Sequence, residues 1–168
     1  MPELTTRRLS LRPLTPTEGE ALAAGKQLPG WRYAPGYPLP DTGEGVGFLL
    51  RHGDVAFGFY LVVRREDGRV VGEIGFAGPP RNGVVAIGYG IVPEARGRGY
   101  ATEAIGALSG WALAQPGVAE VVAQTLPDNE PSARALLRAG FVELERTARV
   151  RRFSYRGLSA TSSPPSSS

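Results

Sequence analysis

The segment from Val84 to Ala114 constrains the fold of this chain more than any other. Residues 84–92 read Val-Val-Ala-Ile-Gly-Tyr-Gly-Ile-Val, an apolar run typical of a buried strand. A loop of small and basic residues follows at 96–101, and from about Gly99 to Ala114 the apolar residues recur at the spacing of one helix face. We therefore expect a strand that runs through a glycine-rich loop into a helix.

This loop has the properties of an anion-binding site. Gly97 and Gly99 let the backbone come close to a ligand, and a helix N-terminus adds about half a positive charge. Arg96 and Arg98 supply charged donors. The alternative is a basic surface turn, and the loop alone does not decide between the two. The common dinucleotide and P-loop fingerprints do not fit, because Thr102 stands where a third glycine belongs and no Gly-Lys-Ser/Thr occurs.

Strand-like and helix-like segments alternate along the rest of the chain. Their order predicts an α+β fold, with one mixed, mostly antiparallel central sheet of about seven strands flanked by about four helices. The predicted strands are Leu4 to Leu14, Ala56 to Arg65, Arg69 to Ala77, Val84 to Val92, Ala119 to Leu126, Phe141 to Glu145 and Arg149 to Tyr155. The predicted helices begin near Thr15, Asp41, Gly99 and Asn129 and end near Gly25, Arg51, Ala114 and Ala139.

Length and composition indicate one domain. A chain of 168 residues with 42% hydrophobic residues suits a single core, which we expect within residues 1–157. Residues 158–168 are mostly Ser and Pro, and we expect them to form a disordered tail because they have nothing to bury.

Composition also excludes several kinds of chemistry. The chain has no cysteine, which rules out disulfides, thiolate metal sites and cysteine nucleophiles, and we expect no metal site. No stretch approaches the roughly 18 apolar residues of a membrane-spanning helix, and no leader is apparent, so we expect a cytoplasmic protein.

A basic balance leaves nucleic-acid binding as an alternative function. The formal net charge is +3 and the pI is about 9.6. A nucleic-acid-binding module usually shows a denser basic stripe, so we regard this class of partner as less favoured. The arginines that motivate it are Arg146, Arg149, Arg151, Arg152 and Arg156.

Two motifs give the chain a resemblance to a known family. The loop at 96–101 matches Arg/Gln-x-x-Gly-x-Gly/Ala, the acetyl-CoA pyrophosphate signature of the GNAT acetyltransferases. Residues 129–141 resemble the family's Asn-x-x-Ser…Gly-Phe segment, and residues 86–93 resemble its splayed fourth strand. The resemblance covers about Leu4 to Tyr155 and is closest to the RimJ/RimL-type branch, the ribosomal-protein N-terminal acetyltransferases.

The resemblance implies an N-acetyltransferase that uses acetyl-CoA as acetyl donor and attacks it directly with a primary amine. It also implies a sheet that splays between its fourth and fifth strands, with the Ile91 amide as donor to the thioester carbonyl and Ser132 near the sulfur. For Asn129 and Ser132 the alternative is a helix-capping cluster. The implied cofactor-binding residues are Gly90, Ile91, Val92, Arg96, Gly97, Arg98, Gly99, Tyr100, Ala101, Thr102, Asn129 and Ser132.

The chain departs from the family at three positions that usually carry catalysis. Ala86 and Gln124 stand where relatives place a general base, and Leu136 stands where many place an acid tyrosine. Glu73 is the remaining candidate base, although an outward-facing carboxylate is commoner for a strand glutamate. These departures motivate an alternative function, a catalytically silent acyl-CoA-binding GNAT domain.

The sequence does not choose the acetyl acceptor. Trp31, Tyr33 and Tyr37 lie in a Pro/Gly-rich loop at 29–45 that we expect to be ordered and to face substrate, with local packing as the alternative role of the three rings. The acceptor is a protein N-terminus or a small amine, and the chain is a monomer or a homodimer. His52, the single histidine, is interpreted as a solvated helix-end residue.

Overall fold

A computed structural model describes residues 1–52 and 55–157. The predicted tail and the side chain of His52 lie outside the described residues. The described strands are β1 (Leu4–Thr5), β2 (Leu9–Pro13), β3 (Arg32–Tyr33), β4 (Phe59–Arg64), β5 (Arg69–Phe76), β6 (Val84–Ile91), β7 (Glu120–Thr125), β8 (Val142–Arg146) and β9 (Arg151–Tyr155). The helices are α1 (Pro16–Ala23), α2 (Thr42–His52), α3 (Tyr100–Leu113) and α4 (Glu130–Arg138), with 3-10 turns at Val55–Phe57 and Pro93–Ala95.

All of these strands belong to one mixed sheet. Its order is β1-β2-β4-β5-β6-β7-β9-β8, and β3 pairs with β5 beside this path. The pairs β3·β5 and β6·β7 are parallel and the others are antiparallel. The predicted α+β class, the mixed and mostly antiparallel sheet and the four helices are therefore confirmed.

Helices cover both faces of the sheet. Because side chains alternate along a strand, adjacent strand residues face opposite helices. Glu73 on β5 bonds to Thr42 of α2 on one face, and Tyr89 on β6 bonds to Ser132 of α4 on the other. The largest fully buried side chains of the core include Leu61, Ile74, Ile105, Leu108 and Phe153. No helix in the described part of the chain is long and apolar enough to cross a membrane.

The sheet opens between β6 and β7. These strands pair from Val84 with Glu120 to Ile87 with Ala123, and β6 then continues to Ile91 without a register partner on β7. The gap lies at the carboxyl end of β6, where the chain enters the glycine-rich loop. This gap is the splay that was predicted between strands 84–92 and 119–126.

The strand count was too low, because two short strands were missed. The predicted first strand is a hairpin, since Thr6 N donates to Leu9 O (2.8 Å) and Leu9 N donates to Thr6 Oγ1 (3.0 Å), which turns the chain between β1 and β2. The loop at 29–45 contains β3, held by Ala34 N donating to Val70 O (2.9 Å). Two-residue strands carry too little periodicity to be read from sequence.

Helix boundaries follow the expected capping chemistry. Thr15 Oγ1 accepts from Glu18 N (3.2 Å) and Thr15 N donates to Glu18 Oε2 (2.8 Å), a capping box at the start of α1. Gly25 follows α1 with φ +76°, a conformation that ends a helix at low cost only for glycine.

Candidate acetyl-transfer site

The glycine-rich loop places the N-terminus of α3 at one end of the sheet, after the last residue of β6. Gly97 and Gly99 adopt φ +75° and +81°, which disfavours any side chain at these positions. Gly99 is the N-cap of α3 and, because it has no side chain, it cannot itself cap the first amides of this helix. Backbone N–H groups at a helix N-terminus and the helix dipole favour a negative charge nearby.

The two arginines of the loop have different surroundings. Arg96 Nε donates to Ile91 O (2.9 Å), which ties the loop back to the end of β6. The Arg98 carbonyl accepts from Arg8 Nη1 (2.8 Å), so the loop is also fixed from the N-terminal hairpin.

Arg8 is a residue of this region that the sequence did not indicate. Its Nε and its backbone N donate to Glu103 of α3, both at 2.9 Å, and its guanidinium lies 4.7 Å from the centre of the Tyr100 ring. A Cβ on Gly99 would lie 3.3 Å from Arg8 Nη2. Burial acts to raise the pKa of Glu103, but hydrogen bonds from Thr6 and Arg8 outweigh it and lower the pKa. Arg8 lies more than 85 residues before this loop, so no local motif could have linked the two.

Backbone groups of β6 point into the splay at alternate residues. Val92 N donates to Val71 O (2.8 Å) and Ala77 N donates to Ala86 O (2.9 Å), so the even-numbered residues of β6 bond to β5. The amides of Tyr89 and Ile91 therefore turn towards β7, beyond the last β6·β7 pair. The resemblance implied that Gly90, Ile91 and Val92 bind the cofactor. Of these three, Ile91 turns its amide towards β7. Gly90 lies under the 29–45 loop, where a Cβ would come 2.6 Å from Leu39 Cδ1.

Several polar side chains lie around the opening between β6 and β7, and they differ in their hydrogen bonds. Thr125, at the end of β7, is buried and its Oγ1 has no hydrogen-bond partner among the described residues. Tyr89 Oη lies 2.6 Å from Ser132 Oγ, and burial raises the pKa of Tyr89 to about 12. Asn129 Oδ1 accepts from Ser132 N (3.3 Å), so Asn129 caps α4.

The Glu73 carboxylate is buried, whereas a strand glutamate more commonly faces solvent. The alternative of an outward-facing carboxylate is wrong, because Glu73 is only 6% exposed. Its Oε2 accepts from Tyr37 Oη (2.9 Å) and from Thr42 Oγ1 (2.8 Å). Burial raises the pKa of Glu73 to about 7, although both hydrogen bonds oppose the rise. A carboxyl with this pKa exchanges a proton near neutral pH.

The aromatic residues of the 29–45 loop divide into two groups. Tyr33 and Tyr37 stack with ring centres 5.6 Å apart and line a cavity of about 530 Å³. Tyr37 joins this cavity to Glu73. Trp31 does not line the cavity. It packs against Arg12 of β2, whose guanidinium lies 5.2 Å from the centre of the Trp31 ring.

Comparison with known proteins identifies the family. A family model described as "Acetyltransferase (GNAT) domain" matches residues 8–142, most of the chain. The chain belongs to the GNAT acetyltransferase family. An uncharacterised N-acetyltransferase of Bacillus subtilis strain 168, YjdG, is 30% identical over 125 residues, which are 71% of this chain and 74% of that protein.

Solved GNAT structures share this fold. An acetyltransferase from Agrobacterium tumefaciens is 25% identical with a TM-score of 0.66, over 94% of this chain and 95% of its own. RimL, a ribosomal L7/L12 α-N-protein acetyltransferase solved with coenzyme A, has a TM-score of 0.67 at 17% identity, over 92% of this chain and 98% of its own. At that identity the likeness to RimL shows the fold alone. The family match makes the chain an acetyltransferase, and its fold is the one seen in RimL.

The three positions that depart from the GNAT pattern differ in their surroundings. Leu136 is fully buried in the core, Gln124 is exposed at the splay and Ala86 is half-buried. Ala86 shares its face of β6 with Gly88 and Gly90, and Gly90 is the register partner of Glu73. Glu73 thus lies on the same face of the sheet as Ala86. Among the described residues no cluster of His, Cys, Asp or Glu suits a metal ion.

The basic residues near the C-terminus are largely neutralised within this GNAT domain. Arg151 is 3% exposed at its side chain and pairs with Glu130 (2.9 Å) and Glu143 (2.8 Å). The ion pairs of its neighbours are Arg146 with Glu143, Arg152 with Glu145, and Arg156 with Glu120. A duplex would have to compete with these carboxylates, which disfavours the nucleic-acid interpretation.

Proposed function

We propose that this protein transfers the acetyl group of acetyl-CoA to a primary amine by direct attack in a ternary complex. The observation that carries the proposal is the coincidence of two features at the carboxyl end of β6. The N-terminus of α3 begins at a glycine that offers no side-chain cap, and the Ile91 amide turns into the splay near the Thr125 hydroxyl, which has no hydrogen-bond partner among the described residues. A pyrophosphate attached to a pantetheine arm would bind to the helix N-terminus and accept or donate hydrogen bonds in the splay.

The residues that would hold acetyl-CoA follow from this fit. The amides of Tyr100, Ala101 and Thr102, with the loop of Gly97 and Gly99, would bind its pyrophosphate. The Ile91 and Tyr89 amides, the Thr125 hydroxyl and the Asn129 side chain would face the pantetheine arm. Acetyl-CoA supplies the activated acetyl group as a thioester, and a backbone amide aimed at the carbonyl oxygen is worth about 3 kcal/mol in such reactions.

Glu73 is the candidate general base. A primary amine is protonated at neutral pH and must lose a proton before it attacks. With its pKa near 7, the buried carboxyl is ionised often enough to accept that proton. Tyr37 and Thr42 hold Oε2, and the described residues give Oε1 no hydrogen-bond partner, which leaves this oxygen to receive the proton, directly or through water.

Ser132 is the candidate acid for the departing thiolate. The Ser132 hydroxyl lies 2.6 Å from Tyr89 Oη, so Tyr89 can donate a proton to Ser132 after Ser132 has given up its own. This pair offers a substitute for the acid tyrosine that the chain lacks at Leu136. Neither hydroxyl is ionised at neutral pH, and each keeps a proton to give.

The second candidate function is a silent acyl-CoA-binding domain, favoured by Ala86, Gln124 and Leu136. Measurement of thiol release from acetyl-CoA with an amidated peptide, spermidine and an aminoglycoside separates the two. Thiol release that depends on one of these amines supports the enzyme. Binding of acetyl-CoA without release by any amine supports the silent domain. A cytoplasmic location and a monomeric or homodimeric state are further predictions from the sequence.

A further inference from the structure

The cavity lined by Tyr33 and Tyr37 has the properties of a second binding site. It has a volume of about 530 Å³ and lies where β3 pairs with Arg69 and Val70, just beyond the end of β6. Its walls include the stacked rings of Tyr33 and Tyr37. Gly36, which also lines it, packs against Val92 and Pro93 at the entry to the glycine-rich loop.

Two arginines give this cavity a positive charge. Arg32 and Arg69 both line it, and they are register partners on adjacent strands. No described residue forms an ion pair or a hydrogen bond with the Arg32 guanidinium. Like charges placed side by side on a sheet repel each other, so an anion bound between them would relieve the repulsion.

The acidic residue of the cavity does not cancel this charge. Asp67 Oδ2 lies 3.8 Å from Arg69 Nε but 2.6 Å from Arg64 Nη2, and Asp67 Oδ1 accepts from Arg64 Nε (3.0 Å). Asp67 is thus held in a two-bond pair by Arg64, whose hydrogen bonds lower the Asp67 pKa to about 2. Among the described residues, the guanidinium of Arg69 forms one weak ion pair, with Asp67 at 3.8 Å.

Geometry connects the cavity to the proposed acetyl-transfer site. Tyr37 lines the cavity and its hydroxyl donates to Glu73 Oε2 (2.9 Å). Arg69 and Glu73 are four residues apart on β5, which corresponds to at most about 13 Å between their Cα atoms, because the register with β4 shifts at Val71 between them. This separation is too long for a free amino acid and suits an extended peptide of three to four residues.

We infer that Arg32 and Arg69 bind an acidic side chain of the acetyl acceptor, so that the acceptor is an acidic peptide with Asp or Glu at its third or fourth residue. The inference rests on the proposed function, because it assigns the amine end of the peptide to Glu73. The carboxylate would accept hydrogen bonds from both guanidinium groups, and the Tyr33–Tyr37 pair would support the peptide backbone.

Binding of matched peptides tests the inference without turnover. The amidated peptides Ser-Ala-Asp-Ala and Ser-Ala-Ala-Asp, and the same peptides with Asn for Asp, are titrated into the protein saturated with CoA. The protein variants are Arg32→Gln, Arg69→Gln and the control Arg81→Gln, which removes the same charge from an exposed turn. The wild type and the control should bind one Asp peptide about tenfold tighter than its Asn partner, and each cavity variant should lose that preference.

Three outcomes would overturn the inference. The wild type fails to distinguish Asp from Asn peptides, or the cavity variants weaken both peptides equally, or Arg81→Gln has the same effect as the cavity variants. A separate arm compares acetyl-CoA with its 3′-dephospho form. If Arg32→Gln and Arg69→Gln weaken only acetyl-CoA, the cavity binds the donor's phosphate and the inference fails. Peptides that bind but are never acetylated would count against the proposed function, while the Asp preference still decides the role of the cavity.

Discussion

The hydroxyl of Tyr37 donates a 2.9 Å hydrogen bond to Oε2 of Glu73, which joins a proline-rich loop to the middle of a central strand. Together with Thr42, Tyr37 favours the ionised carboxylate, while burial favours the protonated form, and the pKa of Glu73 settles near 7. A lone buried glutamate would titrate higher, and an exposed one would titrate near its ordinary value of 4.5. Glu73 is therefore held in the range where a general base is effective.

Replacement of Glu73 by Gln should move the rising limb of the pH–activity profile to higher pH, towards the pKa of the acceptor amine. In the wild type, kcat/KM for acetyl transfer should increase as pH rises through about 7, because Glu73 must be ionised to accept a proton. Loss of a general base typically costs about 100-fold in rate. An unchanged profile in the Glu73→Gln variant would remove Glu73 from the mechanism.

Folding stability provides the control for this variant. Because the pKa of Glu73 is higher in the folded chain (about 7) than the ordinary value (4.5), the folded state binds more protons between these pH values. This contribution to stability is fully present below about pH 4.5 and is lost as pH rises through 7, by at most about 3 kcal/mol. Urea denaturation at pH 5 and pH 8 should show this loss in the wild type and not in Glu73→Gln.

The Tyr89–Ser132 pair should act as one unit. Ser132→Ala should lower kcat about 100-fold, and Tyr89→Phe about tenfold, because Tyr89 acts through Ser132. The double variant should be no slower than Ser132→Ala, since residues in one hydrogen-bond network are not additive. Steady-state kinetics with all three variants measures this. Strictly multiplicative losses would mean that the two hydroxyls act separately.

Thr125→Val should separate cofactor affinity from stability. The Thr125 hydroxyl is buried with no hydrogen-bond partner in the described part of the chain, so its removal should leave the free energy of unfolding unchanged or raise it by about 1 kcal/mol. Affinity for acetyl-CoA should nevertheless fall severalfold. Ser109→Ala is the control, because the Ser109 hydroxyl on α3 is also buried with no partner among residues 1–52 and 55–157, and its removal should leave the affinity unchanged. Equal affinities of Thr125→Val and the wild type would place this hydroxyl outside the cofactor site.

Arg8→Gln should weaken binding of donors that contain a pyrophosphate. Arg8 holds the Arg98 carbonyl and Glu103, so its loss should release the loop and lower acetyl-CoA affinity about tenfold, with no effect on acetyl-pantetheine. Arg65→Gln is the control, because Arg65 binds the neighbouring Thr6 and Arg7 carbonyls without contact to the loop. Titration calorimetry with both donors measures the difference. An equal loss for both donors would show that Arg8 only stabilises the fold.

The parts of the fold that follow local rules could be predicted from the sequence. The start of a helix near Thr15, the change of period near Gly99 and the break between the strands at 56–65 and 69–77 each depend on a few adjacent residues. The strands β1 and β3 were missed because their stability comes from partners elsewhere, Ser10 and Leu11 for β1 and Val70 for β3.

Sequence alone could propose a candidate site only where a motif is contiguous. The loop at 96–101 carries its chemistry in its own sequence. Burial of Glu73 depends on a loop that arrives from 36 residues earlier, and the contact of Arg8 with the Arg98 carbonyl spans 90 residues. Such contacts are set by the order of strands in the sheet, which no single segment encodes.

Titration calorimetry of acetyl-CoA into the wild type and the Gly99→Glu variant tests the central claim most directly. The substitution puts a side chain and a negative charge at the uncapped N-terminus of α3. Gly25→Glu is the matched control, because Gly25 has a similar φ of +76° and open space around it, so it carries the same backbone strain away from the site. The account predicts micromolar binding by the wild type and by Gly25→Glu and none by Gly99→Glu. Equal binding by all three proteins would contradict the assigned pyrophosphate site, and no binding by the wild type would contradict acetyl-CoA as the donor.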